Sequence, residues 1–443
     1  MQNIAWFKEL NKNSIPLVGG KAANLGEMFN AKFPIPPGFV VTSLAFRKFL
    51  IDSELIKVIF PKLMNLDVDN NEDLQRVAKE IQDLIIQAKM PQNIQDELIE
   101  AYDALNVDPA IRGTPAENFV SQGREAPFVA VRSSATAEDL PNASFAGQQA
   151  TYLNIKGHQK LLAAVKACWA SLYGARAIYY RNKNDFAHDK VYIAVVIQKM
   201  VNSHTAGVIF TVNPVTENHD EILIESSYGL GEAVVSGSVT PDEFIVDKES
   251  LELKEKKIGK KEFYITRDEN GNNVNVDIPD DKKESQSLQN FEIKKLAEIA
   301  TSIEKHYEKP QDIEFAIEKG RIYITQSRPI TTLGNKKEAA DLKEAQEKET
   351  PEVKSEEQIE IKDANLLASG ISASPGVGRG KVVLVHDINE LSKIKKGDVL
   401  VARMTSPDYV SAMERASAIV TDAGGNTCHA AIVSREMGIP CVV

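Results

Sequence analysis

The sequence predicts a multidomain protein, a large α+β region followed by a smaller α/β unit. Three observations carry that expectation. Through residues 1–334, apolar residues at helical spacing are interleaved with β-branched runs. Across 365–443, strand signals alternate with a helical stretch. Between the two lies 335–364, in which residues 335–362 hold nine acids, six lysines and no aromatic side chain. Such a segment buries too little apolar surface to offset the entropy of ordering it, so it reads as a charged flexible linker.

Taken in order, residues 50–105 carry helical periodicity, with Leu74, Val77, Ile81 and Leu84 at spacings of three and four. Residues 161–180 repeat that pattern, and 291–307 read as another amphipathic helix. Strand signals fall at 191–197, 207–212, 221–225 and 244–246. Behind them Lys254, Lys256, Lys257, Lys260 and Lys261 read as a solvated hairpin. In the smaller unit, Gly-rich turns at 374–378 precede strands near 381–385, 398–402 and 418–421, then a double-glycine loop and a helix.

Composition narrows the class. Hydrophobic residues make up 43% of the 443 and charged residues 26%, the balance of an ordinary globular protein. Fifty-two basic against 63 acidic residues give a net charge of -11, which argues against non-specific nucleic-acid or membrane partners. Apolar runs such as 191–197 are far short of the ~20 residues a spanning helix needs, and no secretory leader is visible. Cys168, Cys428 and Cys441 form neither a disulfide framework nor a paired metal motif, so a reducing cytoplasm is the expected location.

Four stretches carry chemistry. Gly19-Gly20-Lys21 opens a helix, where backbone N–H groups and a lysine suit phosphate; the bland alternative is a turn with an exposed lysine. The strand at 129–131 delivers Arg132, a planar fork for phosphoryl oxygens or else a partner for Glu138 or Asp139. Residues 312–329 read as a β-hairpin around Glu318-Lys319-Gly320. A three-residue loop there would pair Ile317 with Arg321, set Asp312 opposite Gln326, and put Glu314 and Arg328 on the same face. That polar set suits a magnesium-bound polyphosphate, or simply a solvated sheet face. A two-residue loop would turn Gln326 to the other side. Last, a strand runs through Gly424-Gly425 to His429 at a helix start. A neutral imidazole there can act as a nucleophile, and the helix terminus disfavours its protonation. Zinc binding and a Cys428 thiolate are the competing readings; no partner ligands stand at metal spacing.

At this point the stretches GGKAANLGE (19–27), VRSSATAEDLPNASFAGQQ (131–149), DIEFAIEKGRIYITQSRP (312–329) and TDAGGNTCHAAIVSREMGIPCVV (421–443) resemble the phosphoenolpyruvate synthase (pyruvate, water dikinase) family. The resemblance implies an ATP-grasp nucleotide-binding domain over 1–334 in two subdomains and a swivelling phosphohistidine domain over 365–443. It implies that ATP pyrophosphorylates a histidine, AMP leaves, water removes the terminal phosphate, and pyruvate takes the remaining phosphoryl group. By that resemblance Lys21, Arg132, Gly147 and Thr151 bind the phosphates, while Gln198 and Met200 border the adenine. Glu314 and Gln326 hold Mg2+ with Asp312 nearby, and Arg328 steadies the transferring group. His429 is the carrier, and Thr427 matches a threonine controlled by a regulatory kinase–phosphotransferase. The family continues into a pyruvate-binding barrel, so the expectation is a swivel unit cut short and an acceptor domain elsewhere. A pyruvate, phosphate dikinase, an antibiotic phosphotransferase and a non-catalytic phosphocarrier share some of these parts and stay open.

Overall fold

The computed structural model describes residues 2–68, 70–105, 126–136, 150–183, 186–330, 367–426 and 428–443. The linker at 335–364 lies outside them. What they form is a mixed α/β, multidomain protein built on three larger sheets and one two-stranded ribbon.

The first sheet has the order β1 (Ile4–Trp6), β2 (Gly38–Val41), β5 (Ile193–Lys199), β3 (Val129–Ala135), β4 (Thr151–Ile155), with every neighbour antiparallel. Its central strand β5 is buried along residues 193–198, as its continuous apolar run requires. One face, carrying Val131, Val195 and Ile197, packs against the helices of residues 43–104 and the helix His158–Ser171. Helix Asn71–Gln87 forms where the spacing predicts it: Asn70 caps its start by accepting from Asp73 N at 3.2 Å, and Leu74, Val77, Ile81 and Ile85 are buried. The run at 161–180 is two helices, His158–Ser171 and Ala175–Lys183, because the chain breaks into a turn at 172–174 around Gly174. The apolar stretch His158–Lys183 has the length and hydropathy of a spanning helix, but Leu161, Val165, Trp169 and Ile178 sink into this core.

The second sheet runs β13 (Arg321–Pro329), β12 (Gln311–Glu318), β6 (Thr205–Phe210), β7 (Glu221–Tyr228), β8 (Asp242–Asp247), β9 (Leu253–Lys257). Helix Asn290–Tyr307 covers one face, packing Ile293, Leu296 and Ile303 against Ile209, Ile224 and Ile313. Strand alternation then turns Glu314, Val208, Glu225 and Glu243 to the opposite face. Helix Ile15–Asn30 and the back of the first sheet join this same core, which locks the two sheets together.

The lysine-rich stretch departs from expectation at one position. Lys254, Lys256, Lys257 and Lys260 are exposed on and after the edge strand, whereas Lys261 is 0% exposed. It bonds Asp242 and donates to Gly259 O at 2.9 Å, while Ser287 satisfies the other Asp242 oxygen. Pairing plus full hydrogen bonding is what permits both charges inside.

The third sheet, β14 (Ser372–Ser374), β18 (Cys441–Val442), β17 (Ala418–Thr421), β16 (Val399–Ala402), β15 (Val382–Val385), is parallel from β15 to β18, with an antiparallel edge at β14. Helix His429–Met437 packs on it through Ala430, Ala431 and Val433, giving the α/β unit that the alternating signals predict.

Candidate functional site

A cavity of about 300 Å3 lies between the first two sheets. Ala130, Leu153, Met200, Leu230 and Phe315 make much of its wall apolar, and Arg132, Thr151, Gln198, Glu314 and Thr325 supply the polar groups. Such a wall suits a ligand that joins a flat apolar ring to charged groups. Gln198, 3% exposed, donates to Pro36 O, and Met200 N donates to Phe128 O at 2.9 Å. That backbone donor is already engaged within the protein.

The charged groups are assembled from three remote segments. Gly19 has φ 77°, which interrupts helix Ile15–Asn30, and a Cβ there would lie 2.4 Å from Ser134 Oγ. This close approach lays the turn on the end of β3. Lys21, 9% exposed, donates to Ser133 O at 3.2 Å, and Ala22 N donates to Ser134 Oγ. One residue earlier on β3, Arg132 donates Nη2 to Glu314 Oε2 at 2.9 Å and Nη1 to Thr325 O at 3.2 Å. Its Nε has no hydrogen-bond partner among the described residues. Glu138 and Asp139, the alternative partners, lie outside the described residues.

The hairpin corrects the expected register. Its loop is two residues, Lys319 (φ 50°) and Gly320 (φ 74°), with Glu318 opposite Arg321 and Ile317 opposite Ile322. By itself this turn would send Gln326 to the wrong face. A bulge between Glu314 and Phe315 restores the parity: Phe315 faces Ile324, Glu314 faces Gln326, and Thr325 is the extra residue. Asp312 therefore faces Arg328, not Gln326, and accepts from its Nε at 2.9 Å. The Thr325 carbonyl, placed at the irregularity, is the one that accepts from Arg132.

Two carboxyl groups on β12 behave differently. Burial would raise both. At Glu314 the guanidinium of Arg132, helped by Arg328 and Lys21, outweighs burial and holds the carboxyl below its ordinary range. At Asp312 burial prevails over Arg328, and the neighbouring Glu314 adds to the rise. Across from Glu314, Gln326 Oε1 is buried with no partner among the described residues. An ionised carboxylate beside an unsatisfied amide oxygen is a donor pair that could hold a hard divalent cation such as Mg2+. Among the described residues no three His, Cys, Asp or Glu side chains converge as a metal cluster.

His429 is not on the cavity wall. It begins its helix after Cys428, and its Nδ1 is 2.8 Å from Thr405 Oγ1. Thr405 follows β16 and the histidine loop follows β17, both at carboxyl ends of parallel strands. Burial, reinforced by Arg176, lowers the imidazole pKa to about 4 against the pull of Asp408. The ring is neutral at pH 7. Burial pushes the Cys428 thiol upward, which removes it as a thiolate nucleophile. Asp408 pairs with Arg176 of the first region at 2.5 Å, so the third sheet's unit docks there.

The predicted residues thus fall into four groups. Lys21, Arg132, Asp312, Glu314, Gln326 and Arg328 come together, and of these Arg132 and Glu314 line the cavity with Thr151, Gln198 and Met200. His429 sits apart, and Gly147 and Thr427 lie outside the described residues. Sequence reading missed Thr405, Thr325, Glu225 and Arg435. An acid at 225 inside an apolar strand run was a usable signal.

Two family models match the chain: pyruvate phosphate dikinase, AMP/ATP-binding domain, over residues 15–349, and PEP-utilising enzyme, mobile domain, over residues 394–443. The chain is 49% identical over 440 residues to a probable phosphoenolpyruvate synthase of Methanothermobacter thermautotrophicus, covering 99% of this chain and 59% of that protein. It is 47% identical to the phosphoenolpyruvate synthase of Pyrococcus furiosus, covering 99% and 55%. To that of Aeropyrum pernix it is 42% identical, covering 99% and 54%. The chain spans about half the length of these curated relatives.

Proposed function

Since the chain belongs to the pyruvate phosphate dikinase AMP/ATP-binding family, with a PEP-utilising mobile domain following it, we propose that it transfers a pyrophosphoryl group from ATP to His429 and releases AMP. This is the first half of the conversion of pyruvate, ATP and water to phosphoenolpyruvate, AMP and phosphate. The observation that carries the reading is that Arg132 and Glu314 meet on the wall of a largely apolar cavity, with Gln326 paired across from Glu314 and the charge of Lys21 acting on that carboxyl.

In this reading residues 1–334 are an ATP-grasp unit holding the nucleotide between its two sheets, and 365–443 are a carrier that swivels on the 335–364 linker. The adenine lies toward Met200 and Ala130, and the phosphates lie toward Arg132, Lys21 and Thr151. Arg132 keeps Nε free for a phosphoryl oxygen, and Arg328 neutralises charge that develops during transfer. Glu314 and Gln326 would hold Mg2+, which draws charge from the phosphoryl oxygens when bound. Nδ1 and Thr405 Oγ1 are 2.8 Å apart, and in the tautomer where Nδ1–H donates to that hydroxyl the imidazole lone pair is on Nε2. Nε2 attacks the β-phosphorus, the bond from that phosphorus to the bridging oxygen of AMP breaks, and its electrons leave with AMP. Water then takes the terminal phosphoryl group, leaving one on nitrogen. Pyruvate as the final acceptor rests on the relatives' names.

The test is incubation of the chain with Mg2+ and ATP labelled at the β-phosphate. Equal yields of AMP and an acid-labile label on His429 are expected. ATP binding with neither product would overturn the proposal.

A further inference from the structure

The loop before His429 is gripped by the second sheet at residues to which the transfer chemistry assigns no part. Asn426 N donates to Glu225 Oε1 at 2.7 Å, and Asn426 Nδ2 donates to Glu243 Oε1 at 3.0 Å. From the other side Arg435 Nη2 donates to Asn426 O at 2.6 Å. One residue of the loop is thus held at its amide, its carbonyl and its side chain. Two glycines show how tightly the loop is seated. A Cβ on Gly425 would lie 2.8 Å from Pro241 Cγ, and one on Gly237 would lie 2.6 Å from Cys428 Cβ.

The register of the sheet gives this grip a meaning. Gln326, Glu314, Val208, Glu225 and Glu243 are successive cross-strand partners, so they stand in one row on one face. Glu225 is two strands from Glu314, on the order of 10 Å at the usual strand spacing. The surface that grips the loop is therefore continuous with the surface that would hold the metal and phosphates. Glu225 is 0% exposed, and an acid buried on a sheet face needs a reason beyond packing. Its partners here are a loop amide and the positive field of Arg435, which also reaches Asp312.

We propose that Glu225 and Glu243 are positioning residues that act through Asn426 to register the carrier loop against the nucleotide site. The idea rests on the reading of His429 as the acceptor from ATP. A carrier that leaves and returns needs a landing geometry that repeats, and a three-point clamp on one residue supplies it. Neither acid touches the reacting atoms. Their loss slows transfer at saturating ATP and spares nucleotide affinity.

The experiment compares single-turnover labelling of His429 and ATP affinity across variants of the chain. In Glu225→Ala and Asn426→Asp the labelling rate is expected to fall ~10-fold or more with ATP affinity within ~2-fold of wild type. Glu225→Gln keeps an acceptor for the loop amide and retains most of the rate. Asn426→Asp sets a carboxylate against Glu243, and adding Glu243→Gln, which supplies an amide donor, restores the rate. This second pair decides the matter if Glu225→Ala does not fold. Wild-type label with unaltered rates in the single variants, or a double variant as slow as Asn426→Asp alone, overturns the inference. A wild-type chain that never labels overturns the functional reading instead, and this one with it.

Discussion

The β12–β13 hairpin and the loop leading to His429 handle charge in opposite ways. On the hairpin, Arg132 holds the Glu314 carboxyl below its ordinary range although burial pushes the other way. At the loop, burial and the nearby Arg176 strip the proton from His429 down to about pH 4. The same physical agent, removal from water, is overruled at one place and obeyed at the other. The difference follows the charges around each group: Glu314 has Arg132 in contact and Arg328 and Lys21 near it, whereas the cation beside His429 is of the sign that disfavours its proton. The proposed roles divide the same way, since a phosphate site needs fixed charge and a nitrogen nucleophile needs its lone pair. Asp312 shows the balance between these cases, since one arginine does not outweigh its burial.

The largest expected effect deletes the nucleophile. His429→Asn should remove AMP release and label by ~10^3-fold or more while ATP affinity, read by titration, stays within ~2-fold. Next is the counter-charge. Arg132→Ala should lower the single-turnover rate on the order of 10^2-fold, and Arg132→Lys should recover only part, since an ammonium cannot span Glu314 and Thr325 together. A smaller change follows at the cation. Glu314→Gln should raise the Mg2+ concentration for half-maximal labelling by ~10-fold, with little change in nucleotide affinity measured without metal.

The smallest effect is in pH. With the His429 value at about 4, protonation of the imidazole should change the labelling rate by less than ~2-fold between pH 8 and 5.5. The stability consequence has a definite sign. A histidine whose folded pKa lies below the unfolded ~6.5 binds its proton more readily in the unfolded chain. Stability is therefore lost as pH falls from about 6.5 toward 4. His188 is lowered to about 4 as well, by burial and then Arg181, so two histidines contribute. The urea midpoint should drop between pH 7 and 4.5, and drop less in His429→Asn. An equal drop in both proteins would show that the imidazole is not held neutral by its setting.

Residue types announced the site more clearly than geometry did. Lys21 after two glycines, Arg132 at a strand end and the acids of β12 were legible because each places unusual chemistry beside a strong local signal. Long-range pairings were not. Nothing local says that Arg132 meets an acid 182 positions away, or that Lys261 alone among five lysines turns inward. The hairpin was misread for a related reason. Lys319-Gly320 is a good two-residue turn, but the irregularity that rescues the polar face sits five residues from it and has no glycine to mark it. Thr405 escaped because its partner is 24 residues away and joined only by the parallel strands.

That irregularity also bears on which genetic changes the protein can absorb. The facing of Gln326 and Arg328 depends on a count, one surplus residue at Thr325, more than on what that residue is. Conservative replacements at codon 325, which also lines the cavity, should be absorbed, since it is the carbonyl that serves Arg132. Loss of that single codon would invert the whole distal arm, carrying two recognition groups from the ligand side to the greasy side in one step. In a library mixing conservative substitutions with in-frame indels, position 325 should tolerate the first and reject the second.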